Sequence, residues 1–483
     1  MNASTTPDRY PPDANTLYYG DCLGWMREWE DNCVDLIYLD PPFNSNANYN
    51  VLFGTAGNGQ AQYRAFNDTW HWDSEAEYRY ARYEKATALR ARKAIVGLFH
   101  IYGRSGMLAY ITYMAERLEE MRRILKSTGS IYLHCDSYAS HALKHLMDAI
   151  FGCANFRNEI VWCYTGPAAP RQRQFSRKHD TIFWYSMGKT WTFNVDSVRV
   201  PHKDGAPHLG GFGSGMDRSE TQRYGRLGKI PETWWAETHG NGLTTASRQR
   251  NQYLGYPTQK PLALLERIIK ASSNEGGIVL DPFCGCGTAV DAARRLNRRW
   301  MGIDISSFAI DLIKQRRLKD ETIPVAGSPA DLSSARKLAA EKPFDFESWA
   351  IMRLPGMAPN TKQVADGGVD GRGRLYDKPD DWDSDLALAQ VKGGKRFVID
   401  GLKAFASVAN DAEAAIGCFI TLDRVVGDDA RSFAARQKEV TVRGKKYPRM
   451  NLWSIEDHFD DRPMQLPPMA DPYTGKRIDE TLF

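Results

Sequence analysis

No two of the eight cysteines in this 483-residue chain form a C-x-x-C pair. That argues against a zinc site and against a redox dithiol. The scatter of Cys22, Cys33, Cys135, Cys153, Cys163, Cys284, Cys286 and Cys418 argues equally against a disulfide frame, so they read as reduced, mostly buried thiols. No apolar run approaches the roughly 20 residues that cross a bilayer, so no membrane partner is expected. Met1 to Asp8 is polar, without the apolar core of a secretory leader, and residues 1–15 are expected to be a flexible lead-in. These absences suit a cytoplasmic protein. Charge of one sign is also scarce: 63 Lys and Arg against 59 Asp and Glu give a net +4, which permits a nucleic-acid partner without demanding one. No internal repeat is evident. The chain exceeds one comfortable core, so two or three domains are expected.

What is present is an alternation of strands and helices. Thr16–Asp21 and Asp35–Asp40 read as short strands around a helical segment, Leu23–Trp29. Residues 44–105 are polar, aromatic-rich and weakly patterned, and read as an insertion or lid. Residues 107–127 form an amphipathic helix with Met114, Leu118, Met121 and Leu125 in one stripe. A strand at 130–134, a helix from about 137 to 150 and strand candidates at 160–162 and 181–185 follow. Periodicity fades over 186–252. A helix returns at Pro261 with Thr258 as its expected cap. Strand 277–281, a glycine loop, a helix at 288–296, strand 300–304 and a helix at 305–319 complete a parallel α/β sheet.

Two short motifs carry the chemistry. Asp281-Pro282-Phe283-Cys284-Gly285-Cys286-Gly287-Thr288 lies between a strand and a helix. Gly285 and Gly287 remove side chains where a ligand must approach backbone. The loop is neither G-x-G-x-x-G nor a Walker loop. Asp304 ends the next strand, where an acid commonly meets ribose hydroxyls, and Asp281 could hold an ammonium. A ligand with a ribose and an ammonium but no phosphate cradle fits S-adenosylmethionine better than a nucleotide. The plain alternative is a tight turn capped by Asp281.

Asp40-Pro41-Pro42-Phe43 also ends an apolar strand. The prolines stiffen the chain and free their carbonyls from ladder duty. The Asp40 carboxylate and the Pro41 carbonyl can accept both hydrogens of one amino group, leaving its lone pair free. Phe43 offers a stacking face for a flipped base. Alone, the segment could be only a rigid turn.

Together these segments resemble the β-class of amino DNA methyltransferases over residues 16–320. The matched segments are Asp40 to Phe43 with Asn44-Ser45-Asn46, Asp281 to Thr288 with Asp304, and Pro257-Thr258-Gln259-Lys260-Pro261. Leu133-His134-Cys135-Asp136, Leu146 to Gly152 and Lys178-His179-Asp180-Thr181-Ile182 add to the match. The resemblance implies a circularly permuted, Rossmann-like methyltransferase fold over 16–325, with the catalytic half ahead of the cofactor loop. It implies S-adenosylmethionine as cofactor and double-stranded DNA as substrate. Asp40, Pro41, Pro42 and Phe43 would hold the target amine. Asp21, Lys260, Asp281, Phe283, Gly285, Gly287, Thr288 and Asp304 would hold the cofactor, with Asp21 at its adenine and Lys260 at its methionine end. Target recognition would fall at 186–252, where Arg218, Arg223, Arg226, Trp234, Trp235, Arg248 and Arg250 are either DNA contacts or a solvated face. His134 and Asp136 are read first as strand-end anchors, and Lys260 could be an ordinary first-turn lysine. An aspartate opening the first motif favours adenine N6; cytosine N4 is the alternative.

From about 335 to 460 a second, smaller α/β domain is expected, followed by a tail at 461–483. Asp370 after a glycine turn, then Gln390 and Lys392 two apart on one strand, place three groups on one edge. This resembles the Mrr-like branch of the PD-(D/E)XK restriction endonucleases, with Glu347 as a candidate first acid. A nuclease of that kind would bind Mg²⁺ through Asp370; a degenerate domain would only bind DNA. The whole reads as a restriction-modification or host–phage defence protein, bacterial or phage-encoded and associated with the nucleoid, with room for a homodimer.

Overall fold

The computed structural model describes residues 9–42, 70–165, 175–201, 227–236, 243, 245–246, 249, 253–254, 258–319, 321–359, 368–376, 385–394, 399–425 and 427–470, with the backbone of strands at 48–53 and 61–67. The chain divides into two compact units. The first comprises residues 1–47, 68–253 and 259–305; the second comprises 48–67, 254–258 and 306–483.

The first unit is built on strands β1 (Thr16–Tyr19), β2 (Val34–Leu39), β3 (Leu125–Cys135), β4 (Phe156–Cys163), β5 (His179–Ser186), β6 (Trp234–Ala236), β7 (Ile278–Asp281) and β8 (Arg299–Asp304). They lie side by side in the order β1-β8-β7-β2-β3-β5-β4-β6. From β1 to β3 neighbours run parallel; β5 is antiparallel to both β3 and β4. The central strands are apolar and almost fully buried, as strands covered on both faces must be. Asp35 fixes their register at the far end: its Oδ2 accepts from Lys126 Nζ and from the Ile278 N–H, both at 2.8 Å.

The helices follow local signals. Asp21 caps α1 (Cys22–Glu28) and Ser105 caps α2 (Gly106–Ile124), whose Met114, Leu118 and Met121 are buried as the stripe predicts. Leu125 instead opens β3, which is longer than the expected strand because Lys126–Gly129 extend it backwards. α3 (Ser140–Phe151) follows. α4 (Leu262–Ser272) begins at Pro261, which sits at the N-cap without a side-chain cap bond, so Thr258 is not its cap. α5 (Thr288–Arg295) lies between β7 and β8. The segment expected as a loosely patterned insertion holds two helices, Ser74–Lys85 and Arg92–Tyr102. The first buries Ala76, Tyr80 and Tyr83, and aromatic anchoring among charged neighbours hides its apolar stripe.

In the second unit a five-stranded sheet runs β9 (Met357–Pro359), β10 (Gly371–Arg374), β11 (Leu386–Lys392), β12 (Ile416–Thr421) and β13 (Met450–Ser454). β11, β12 and β13 are parallel, and β9 and β10 antiparallel. Helices α6 (Leu332–Glu341), α7 (Pro343–Ile351) and α8 (Ile399–Asp411) belong to this unit. Ala387, Ala389 and Val391 pack with Phe346 and Trp349, while Leu388 packs with Leu402 and Phe405. Met469 is buried in the first of these cores and bridges to Leu375, so chain expected as tail remains part of the unit to residue 470.

Candidate active site

Four neighbouring strands of the first unit end in carboxylates on the same edge. Asp21 follows β1, Asp304 ends β8, Asp281 ends β7 and Asp40 follows β2. The two sequence motifs are adjacent although they lie far apart in the chain, because Ile37 of β2 pairs with Leu280 of β7. The C-terminal edge of a parallel sheet is where open α/β folds bind ligands.

The glycine loop is clasped from below. Phe283 N–H donates to Asp281 Oδ1 at 3.1 Å, Cys284 N–H to the Ile303 carbonyl at 2.9 Å, and Gly285 N–H to Asp304 Oδ2 at 2.8 Å. Gly285 (φ 48°) and Gly287 (φ 74°) take left-handed backbone, which a side chain would strain. Gly287 is the N-cap of α5, and Thr288, its first residue, is buried. Asp281 is 4% exposed. Burial pushes its carboxyl well above the usual range; Asp40 and Asp304 push the same way, while the Phe283 N–H and Lys260 oppose. A buried acid in this state favours a cationic ligand, which is what the ammonium of S-adenosylmethionine would supply. Among these residues the donor set fits that cofactor.

Asp40 has two distinct oxygens. Oδ2 accepts from Lys260 Nζ at 2.5 Å, with both side chains largely buried. Oδ1 is buried as well and has no hydrogen-bond partner among the described residues. A buried carboxylate oxygen left unpaired is costly, and a donor brought to it recovers that cost. Pro41 is buried and Pro42 half-buried. Phe43 lies outside the described residues, as do Pro257, Arg218, Arg223, Arg226, Arg248 and Arg250. Lys260 is therefore more than a first-turn lysine, and it meets the catalytic motif itself.

Asp21 is engaged structurally. Its Oδ1 accepts from Leu23 N–H at 3.0 Å, and Arg117 Nη2 reaches both of its oxygens at 2.8 and 2.6 Å. Its side chain keeps 46% exposure. Asp136 also serves the backbone, accepting from the N–H groups of Tyr138 and Ala139. Trp235 is buried beneath the Arg267 guanidinium, so it belongs to the core; Trp234 is exposed.

Sequence reading missed a buried chain of hydrogen bonds beside Asp40. Tyr38 OH meets His134 Nδ1 at 3.0 Å, His134 Nε2 meets Asp180 Oδ2 at 3.1 Å, and Tyr164 OH donates to Asp180 Oδ1 at 3.1 Å. Burial resists ionisation of Asp180, but His134, Lys260 and Tyr164 together hold its carboxyl below the usual range. The only sequence signal was the Lys178–Ile182 segment, which carried no role.

In the second unit, Glu347 and Lys392 line one cleft of about 650 Å³, together with Arg336, Phe346 and Asp423. Asp370 lies at the start of β10 with Oδ2 accepting from the Val391 N–H at 2.7 Å. Gln390 is buried with its amide against Gly368. Asp370 and Gln390 thus share one side of β11, while the cleft opens beside Val391 and Lys392. Among the described residues no group of three His, Cys, Asp or Glu stands together as a metal site, and no helix is long and apolar enough to cross a membrane.

Residues 34–315 match the profile of the DNA methylase family, and residues 338–446 that of a restriction endonuclease family. The type II methyltransferase M.HpaI of Haemophilus parainfluenzae is 36% identical over 302 residues, covering 62% of this chain and 73% of that protein. The DNA adenine methyltransferase YhdJ of Escherichia coli K12 is 26% identical over 315 residues, covering 65% and 85%. A solved DNA modification methylase of Thermus thermophilus, described as putative in its title, covers 65% of this chain and 99% of its own at 15% identity, with a TM-score of 0.36.

Proposed function

The chain belongs to the DNA methylase family, and from that premise we propose that it transfers a methyl group from S-adenosylmethionine to adenine N6 in duplex DNA. The observation that carries this reading is the unpartnered Oδ1 of Asp40 beside the glycine loop. A base turned out of the duplex brings two N–H donors on its exocyclic nitrogen. Asp40 Oδ1 takes one and the Pro41 carbonyl takes the other. The amino lone pair is then drawn out of conjugation with the ring and becomes nucleophilic. Phe43 stacks on the base. The cofactor supplies an electrophilic methyl on a sulfonium. Asp281 holds its ammonium end, Asp304 its ribose hydroxyls, and Gly285, Gly287, Thr288 and Phe283 line the approach. Asp21, its carboxylate steadied by Arg117, borders the adenine end. Much of the rate comes from proximity and from excluding water.

Adenine is favoured because the first motif opens with aspartate and because a relative of this chain is named for adenine. Sequencing modified bases in DNA from cells expressing the protein identifies the base and its context. Asp40→Ala should abolish methylation while S-adenosylmethionine binding survives; near-parental methylation by that variant would remove the assignment.

A second reading concerns residues 338–446. Their match to a restriction endonuclease profile supports Mg²⁺-dependent DNA cleavage in the same chain, with Asp370, Gln390, Lys392 and Glu347 as its polar groups. A methylase joined to such a unit fits a single-chain restriction-modification protein.

A further inference from the structure

We propose that Lys260 is a positioning residue for methyl transfer, acting on Asp40 and not on the cofactor. The inference rests on Asp40 being the group that holds the target amine. The ion pair ties Oδ2 of Asp40 to the lysine ammonium at 2.5 Å. With one oxygen fixed, the carboxylate cannot rotate freely, and Oδ1 stays available for the incoming N–H.

The charges around Asp40 make this one cation matter. From its own strand it meets the Tyr38 phenol, from β3 the Cys135 thiol and from β7 the Asp281 carboxyl. Asp180 of β5 lies within reach of Lys260 and of both Tyr38 and Cys135. Lys260 therefore serves a group of three acids, Asp40, Asp281 and Asp180. Remove it, and Asp40 and Asp281 are left as neighbouring buried carboxyls, which then share a proton near neutral pH. A carboxyl carrying that proton is a poor acceptor for the amine. Lys260 is itself steadied from behind: the helix it precedes is tied to β3 through Tyr132 OH and Ser272 Oγ at 2.6 Å.

The test uses the full chain with Lys260→Met, Lys260→Gln and Lys260→Arg. Single-turnover methylation of unmethylated bacterial chromosomal DNA is followed with labelled S-adenosylmethionine from about pH 6 to about pH 9. Calorimetry gives the cofactor affinity, and thermal melts establish that each variant is folded. We expect Lys260→Met and Lys260→Gln to lose about 10- to 100-fold in rate near pH 7, the worth of a hydrogen bond to a charged group. Part of that loss should return as the pH rises, a limb absent from the parent. Cofactor affinity should stay within about threefold, under 1 kcal/mol. Lys260→Arg should recover most of the rate. The proposal is overturned if the neutral variants methylate at the parental rate, or if their loss lies in cofactor affinity with a parental pH profile. Asp40→Ala run alongside separates the two layers. Parental activity there refutes the amine-holding role of Asp40, whereas inactivity there with a parental Lys260→Met refutes only the lysine's role.

Discussion

Asp281→Asn should make the protein more stable and nearly blind to its cofactor. Asparagine keeps the volume and can still accept the Phe283 N–H bond of 3.1 Å; only the charge goes. In the parent, burial first and then Asp40 and Asp304 hold the carboxyl well above the usual range. The sign follows from that direction. A carboxyl whose folded value is raised contributes its full share of stability below about pH 3.9 and loses it as the pH climbs through the folded value. Near neutrality the parent therefore carries a penalty that asparagine does not. Each unit of displacement is worth about 1.4 kcal/mol, or about 2–4 °C of melting temperature for a domain of this size. The advantage of the variant should grow from about pH 4 upward. Binding moves the other way. Losing a charged partner for the cofactor's ammonium costs about 1.5–3 kcal/mol, roughly 10- to 150-fold in affinity. Proton linkage adds a separate mark. The parent must release the Asp281 proton to bind a cation, so its calorimetric heat should depend on the buffer's ionisation enthalpy, while the variant's should not. Binding within about threefold of the parent, or lower stability at every pH, would refute the reasoning.

Two further outcomes are expected. Gly302→Ala on β8 would bring a Cβ to 2.9 Å from Val290 Cγ2, 3.1 Å from Cys284 Sγ and 3.2 Å from Leu17 Cδ2; with a stiff valine in the way it should cost about 1–3 kcal/mol in a denaturant melt. If the second unit cuts DNA, cleavage should require Mg²⁺ and vanish in both Asp370→Ala and Lys392→Ala while methylation persists; unchanged cutting in both removes that site.

The two motifs were legible because each couples an apolar strand to residues with few other uses. Asp40 is followed by two prolines that end a ladder, and Asp281 by glycines that both take left-handed backbone. Their adjacency in the sheet followed from the resemblance and not from any local pattern. The Lys260–Asp40 pair was not legible at all. Its partners are 220 residues apart, and nothing in the periodicity of either segment points to the other. The same is true of His134 and Asp180, which meet only because β3 and β5 run antiparallel with His134 opposite Ile182. Local reading failed differently at 74–102. There the buried side chains of the first helix include tyrosines among long charged residues, so the sequence looks polar although the helix is anchored.

The insertion of β8 and β7 between β1 and β2 also sets an order in time. During synthesis the first two strands emerge early, but the pair that must fill the gap between them arrives only after Ile278 and Arg299 are made. At about 5–20 residues per second, that wait after Leu39 is on the order of 10–50 s. Through it the Asp40 strand lacks its inner neighbour and the cofactor loop does not yet exist. A nascent or prematurely terminated chain therefore has no assembled methyl-transfer centre. Such fragments expose open strand edges, natural ligands for chaperones and proteases.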